Sequence, residues 1–175
     1  MKHFRKTIAL FLVVVMLTIT MGSTVLAGNE NQGFSDQAET TVDSRFLDGI
    51  DTAGYDYVIT SQEQADELRV SDDSKSILVA CGSVYLSGIT AGTITIRNTT
   101  KIQLSNVTAK ALDISQGTAI SFTGVKADQL LIAGEKTEES SLQIDSETNI
   151  SKLELNGGQA VTLEGSGTIG GVEVK

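Results

Sequence analysis

Histidine and cysteine are nearly missing from this chain, which has one of each in 175 residues, His3 and Cys81. Proline and tryptophan are absent altogether, and aromatic residues make up 5% of the total. His3 falls within a leading segment that reads as removable. The remaining chain, without histidine, cannot build a Ser-His-Asp or Cys-His nucleophile system. It cannot build a His-ligated zinc site either. A single cysteine excludes an intramolecular disulfide and a multi-cysteine metal cluster. Catalysis would fall to carboxylates, Lys, Arg or Tyr. The expectation is a protein that is not an enzyme, with no cofactor and no catalytic, cofactor-binding or metal-ligating residues.

The leading segment carries a recognisable address. Lys2, Arg5 and Lys6 precede an apolar run from Ile8 to Ile19, and Val25-Leu26-Ala27 follows. A basic start, a short apolar core and small residues before a cut describe a secretory signal peptide. A membrane-spanning helix needs about 20 apolar residues, and this run is shorter. The competing assignment is an uncleaved anchor. A lipid-anchored form needs a cysteine just after the cut, where Gly28 stands. Removing residues 1–27 leaves ten basic and 22 acidic residues, a net charge of −12. Such an acidic chain disfavours nucleic acid and anionic lipid as partners. The predicted location is secreted or extracellular, including association with the cell wall, with no membrane contact after cleavage.

Residues 28–54 are polar and acidic, without periodicity, and read as a flexible linker. The alternative is that Phe46, Leu47 and Ile50 dock on the domain. Tyr55 to Thr60 reads as a short strand. Ser61 with Gln64, or Thr60 with Glu63, offers a capping box, and Ala65 and Leu68 share a helical face. A short helix over about 62–69 is predicted, covering the first coil, and 55–76 forms an N-terminal cap of strand and helix. Asp72-Asp73-Ser74-Lys75 reads as a turn.

From residue 77 to 175 the chain repeats at about 18 residues. Apolar residues fall in columns: Ile94, Leu112 and Leu130; Ile96, Ile114 and Ile132; Ile102 and Ile120; Leu104 and Phe122. Ala91, Ala109 and Ala127 form another, continued by Ile150 and Ile169, and Ile89, Val107 and Val125 a further one. Ile77 to Cys81 fits with an offset of about one residue. Each coil holds two strands with an apolar-x-apolar core, so both apolar side chains share a face. Such small faces are buried only by stacking coil on coil. Gly and Asn between the strands allow the corners. The insertion EKTEES, residues 135–140, bulges from one coil without breaking the stack. The fold class predicted is all-β: a parallel β-helix, or single-stranded solenoid, with a short N-terminal capping helix.

The columns and corners of residues 77–175 resemble those of secreted bacterial right-handed parallel β-helix repeat proteins. The likeness is to the class and to no single family. Strict hexapeptide helices differ, because Thr90 and Thr108 stand where their beat wants an aliphatic residue. Bactofilin-type scaffolds have similar coils but resemble cytoplasmic proteins, and the leucine-rich frame is not kept. Many β-helix proteins are polysaccharide lyases or hydrolases, which need clustered acids or a basic residue beside calcium. Here Arg97, Lys101, Lys110 and Lys126 share no column.

Two outward columns are predicted: Thr95, Asp113, Leu131, Glu154, Glu173, and Tyr85, Gln103, Ser121, Gln143, Thr162. Neither is a threonine ladder or an aromatic platform. Tyr85 is the exposed aromatic to follow. Glu154 with Glu173, and Asp145 with Glu164, are expected side by side, where a weakly held Ca²⁺ would relieve repulsion and solvated, splayed side chains are the plainer outcome. Cys81 reads as a buried small hydrophobe, with a link between chains as its alternative. Val172-Glu173-Val174-Lys175 forms a repeat strand without a cap after it, and an uncapped coil invites another strand. The function expected is a non-catalytic structural or scaffold element that self-associates through this coil. The alternative is an adhesin-like module binding a cell-surface glycan or protein. A piece of a longer protein would end in the same way.

Overall fold

The computed structural model describes residues 44–135 and 139–175. The predicted signal peptide, most of the acidic stretch and residues 136–138 of the insertion lie outside the described residues. The remainder is a parallel β-solenoid with a repeat of about 18 residues.

Two sheets run along it. The larger contains β1 (Tyr57–Ile59), β2 (Ser71–Ala80), β4 (Thr90–Arg97), β6 (Thr108–Ser115), β8 (Lys126–Ala133), β10 (Asn149–Asn156) and β12 (Thr168–Ile169) in that order, and β13 (Val172–Val174) also pairs with β10. The smaller contains β3 (Ser83–Ser87), β5 (Lys101–Ser105), β7 (Ala119–Thr123), β9 (Glu139–Ile144) and β11 (Ala160–Gly165). All pairings are parallel and, β11 apart, in the register that the columns demand: Ile94 opposite Leu112, Leu112 opposite Leu130, Ile102 opposite Ile120. These residues are fully buried, together with Ile96, Ile114, Ile132, Leu104 and Phe122. Each contributes roughly 1.5–3 kcal/mol by leaving water. In β6 both Ala109 and Leu112 point inward, three positions apart, so the alternation slips once and the strand turns a corner without leaving its ladder.

The corners repeat with the core. Gly88, Asn106 and Gly124 take φ of 68°, 52° and 61°, one per coil. Asn98 and Gln116 do so at a second corner, with φ of 52° and 66°. Glycine and asparagine tolerate this left-handed conformation best, and Gln116 was not legible as a corner.

The insertion lengthens one coil and leaves both ladders intact: β8 pairs with β10 and β7 with β9. It is shorter as a loop than the sequence suggested, because Glu139 and Ser140 already belong to β9. Ser140 is buried, and its hydroxyl donates to the Gly117 carbonyl.

Three details differ from expectation. Residues 72–75 do not reverse the chain; they form a bulge inside β2, between Asp72 opposite Ala91 and Ser76 opposite Thr93. Turn chemistry is nevertheless present, since Asp72 Oδ1 accepts from the Ser74 amide at 2.9 Å and its hydroxyl at 2.7 Å. The bulge crosses Gly92, where a Cβ would lie 2.6 Å from the Asp73 carbonyl oxygen. The helix α1 spans Gln62–Glu67, ending before Leu68, which is extended at ψ 126°. Finally, β11 pairs two residues away from the predicted register: Leu163 stands opposite Leu142 and Glu164 opposite Gln143. The backbone explains this. Gly157 lies against the Gly134 carbonyl and Gly165 against that of Ile144, both too close for any Cβ. Those contacts fix where β11 meets β9.

At the N-terminal side, Ser61 caps α1 by accepting from the Gln64 amide at 3.3 Å. Gln64 reaches back to the amide of Thr60 at 2.6 Å, one residue before the usual capping-box partner. Ala65 and Leu68 are buried in the core. Ser44–Phe46 form a short 3-10 turn, and Asn98 Nδ2 donates to the Phe46 carbonyl at 3.0 Å.

Candidate functional site

The two ends of the solenoid differ in chemistry. At the N-terminal edge of the smaller sheet, β3 pairs with β5 on one side and with no described strand on the other, and the Gln62 side chain takes that place. Its Nε2 donates to the Tyr85 carbonyl at 2.9 Å, and its Oε1 accepts from the Tyr85 amide at 2.8 Å. A primary amide offers one donor and one acceptor side by side, as a peptide group does. The larger sheet begins with β1, where Asp56 ties the incoming chain to β2. Its Oδ2 accepts from the Ser76 amide at 2.8 Å and its Oδ1 meets Lys75 Nζ at 3.0 Å. The bond from the Ser76 amide is the main reason the Asp56 carboxyl is lowered to about 2, with Lys75 adding to it.

The last coil is open. Leu163 is 44% exposed, Val172 56% and Val174 72%, although each occupies a position that is buried in earlier coils. Leu163 continues the column of Ile120 and Leu142, and Val172 that of Leu130 and Leu153. Beside them run alternating charges. Lys152 Nζ lies 2.5 Å from Glu173, and Lys175 Nζ lies 2.7 Å from Glu154, whose second oxygen is 3.7 Å from Lys152. Lys152 is the chief cause of a lowered Glu173 pKa, and Lys152 is raised in turn.

That quartet also answers the carboxylate pairing. Glu154 and Glu173 are brought side by side, directly opposite in register. The charges between them are lysine ammonium groups, so the geometry is that of an ion-pair chain. Asp145 and Glu164 are not brought together, because the shift of β11 sets Glu164 beside Gln143. Asp145 instead closes a corner: it accepts from the Thr148 hydroxyl at 2.7 Å and the Gly124 amide at 3.0 Å. Those bonds, Thr148 first, lower its pKa. Among the described residues no group of three or more Asp, Glu, His or Cys side chains could hold a metal ion.

The outward column of the larger sheet is less exposed than expected. Leu78 and Thr95 are buried, Asp113 is gripped by Arg97 at 2.6 and 3.1 Å, and Glu154 is buried beneath its lysines. The smaller sheet presents the column Tyr85, Gln103, Ser121 and Gln143 as read, with Glu164 replacing Thr162. These residues line a shallow open groove, with Tyr85 45% exposed at one end. Arg97 on β4 and Lys101 on β5 lie on different sheets, whereas Lys110 and Lys126 line one shallow depression in which Lys110 pairs with Asp73 at 3.1 Å.

Cys81 faces inward at 4% exposure, and burial raises its thiol pKa. A link between chains through this sulfur would require unpacking the first coil. Gln159, at the turn into β11, is buried with neither side-chain nitrogen nor oxygen hydrogen-bonded.

Comparison of the chain with protein-family models, curated proteins and solved structures returned no match.

Proposed function

We propose that this chain is a secreted or cell-surface β-solenoid with a structural, non-catalytic role, and that it associates through its last coil. The observation that supports this reading is the exposed apolar end of three columns, Leu163, Val172 and Val174, beside strand edges that no other described strand pairs. Elsewhere the same columns are closed by the next coil, so an apolar face of this kind is a docking surface. The acidic composition disfavours nucleic acid and anionic membranes as what docks. Light-scattering mass of the purified protein over a range of concentrations tests the reading. Mass that rises with concentration supports association; a constant monomer mass refutes it.

A second reading, an adhesive module for a cell-surface glycan or protein, draws on the groove of the smaller sheet. Tyr85 offers a ring and Gln103 and Gln143 offer amides on one face. Pull-down on cell-wall material, with Tyr85→Ala and Gln103→Ala as controls, tests it: binding lost in both variants supports the groove, and binding unchanged in both dismisses it.

A further inference from the structure

We infer that two copies of this chain meet tail to tail, last coil against last coil, in a closed two-fold pair. The inference rests on the association reading above and names its partner and its geometry.

A repeating row of solenoids joins the tail of one copy to the head of the next, so both ends must be open. The head here is blocked at the smaller sheet, so an arriving coil could continue only the larger one, where β1 is the end strand. The Gln62 amide occupies the bonding positions of Tyr85 on β3, and α1 lies against that edge with Ala65 and Leu68 in the core. An arriving strand would have to displace both. A two-fold pair uses one surface twice and needs no open head. Around such an axis the meeting strands run antiparallel, a pairing at least as stable as the parallel one inside each copy.

The charges on β13 and just after it fit themselves in this arrangement. Val172 and Val174 stand in line with the core columns, while Glu173 and Lys175 stand on the outward face beside Lys152 and Glu154. Place the two-fold axis at Val174. Val174 then meets its own copy, and Glu173 of each copy lies opposite Lys175 of the other. The chain of alternating charges continues across the junction without two like charges opposed. Leu163 and Val172, both more than two-fifths exposed in the single chain, come under cover at the same time.

Sedimentation velocity and light scattering of the full chain test this, from micromolar to millimolar concentration. The expected mass climbs to that of two copies and stays there. Glu173→Lys and Lys175→Glu each oppose like charges twice across the axis and weaken pairing about tenfold or more. Mixed in equal amounts, the two variants place a lysine opposite a glutamate at both contacts, and the pair returns. Both positions are solvent-facing, and melting curves of each variant confirm that the fold persists. Mass that grows past two copies overturns the tail-to-tail geometry while leaving association standing. A monomer at every concentration overturns both. A pair unaffected by either variant, or not restored by mixing, places the contact elsewhere and overturns the inference.

Discussion

The head and the tail of this solenoid solve the same problem in opposite ways. Every coil leaves a row of peptide groups and an apolar layer for the next coil to cover. At the head, a six-residue helix supplies one glutamine whose amide imitates a peptide group, and two apolar side chains seal the layer. At the tail, β11 and β13 each pair on one side and with no other described strand, and Val172 and Val174 are exposed. The lesson is that closing a parallel stack takes little: a donor and acceptor at the right spacing, held by a capped turn of helix.

The largest contrast concerns what the stack stands on. Leu112→Ala removes a side chain enclosed by Ile94 and Leu130 and should lower stability by about 2–5 kcal/mol. Val174→Ala, in the exposed coil, should change it by less than about 0.5 kcal/mol at concentrations where the chain is a single copy. Denaturant unfolding of both variants checks this; equal losses would mean that the tail is already covered.

Next comes the head. Gln62→Ala strips the cap from Tyr85 and should cost about 1–3 kcal/mol. It should also make the head a second sticky edge, so that scattering mass passes beyond two copies. Stability loss without further growth would show that α1 alone excludes a second strand.

Acid should loosen the head before the interior of the stack. The Asp56 carboxyl, held at about 2 by the Ser76 amide and Lys75, sits below the usual aspartate value of about 3.9. A folded-state pKa that is depressed stabilises fully above the unfolded value and ceases to do so as pH falls through the folded one. The contribution is therefore lost between about pH 4 and pH 2. Asp56→Asn should flatten the melting temperature against pH in that window relative to the unmodified chain. Asp145, lowered in the same sense, adds to the acid limb at its corner and remains after that substitution. An unchanged pH profile would remove Asp56 from the head's stability.

A gain is expected near the tail. Gln159 is buried with its amide unbonded, so Gln159→Leu should raise stability by about 1 kcal/mol. A loss in the same melting assay would mean that this amide has a partner in solution.

Most of the stack was legible because a parallel in-register solenoid writes its contacts as equal spacings. Ile94, Leu112 and Leu130 are neighbours in space for the same reason that they are 18 apart in sequence. What escaped was set by backbone. Val161 and Leu163 have the form of a core pair, yet Gly165 at the Ile144 carbonyl moves β11 by two residues and sends Glu164 to Gln143. The side-chain pattern carries no trace of that approach. Likewise Asp72 to Lys75 has turn chemistry, and whether it reverses the chain or bulges depends on Gly92 in the neighbouring strand. At the tail, Glu154 and Glu173 were legible as neighbours. Their lysines were not, because Lys152 and Lys175 reach them diagonally across the strands.

The left-handed corners at Gly88, Asn106 and Gly124 also set a rule for inheritance. Between β4 and β8 one coil maps onto the next by simple translation, so a duplication of residues 90–107 would be read as one more rung, about 4.8 Å taller. Insertion of any other number must be looped out of the stack. The repeated body of this protein can thus change length only in whole steps, and a gene that stutters by a full repeat would add one rung to both sheets and leave α1 and β13 as they are.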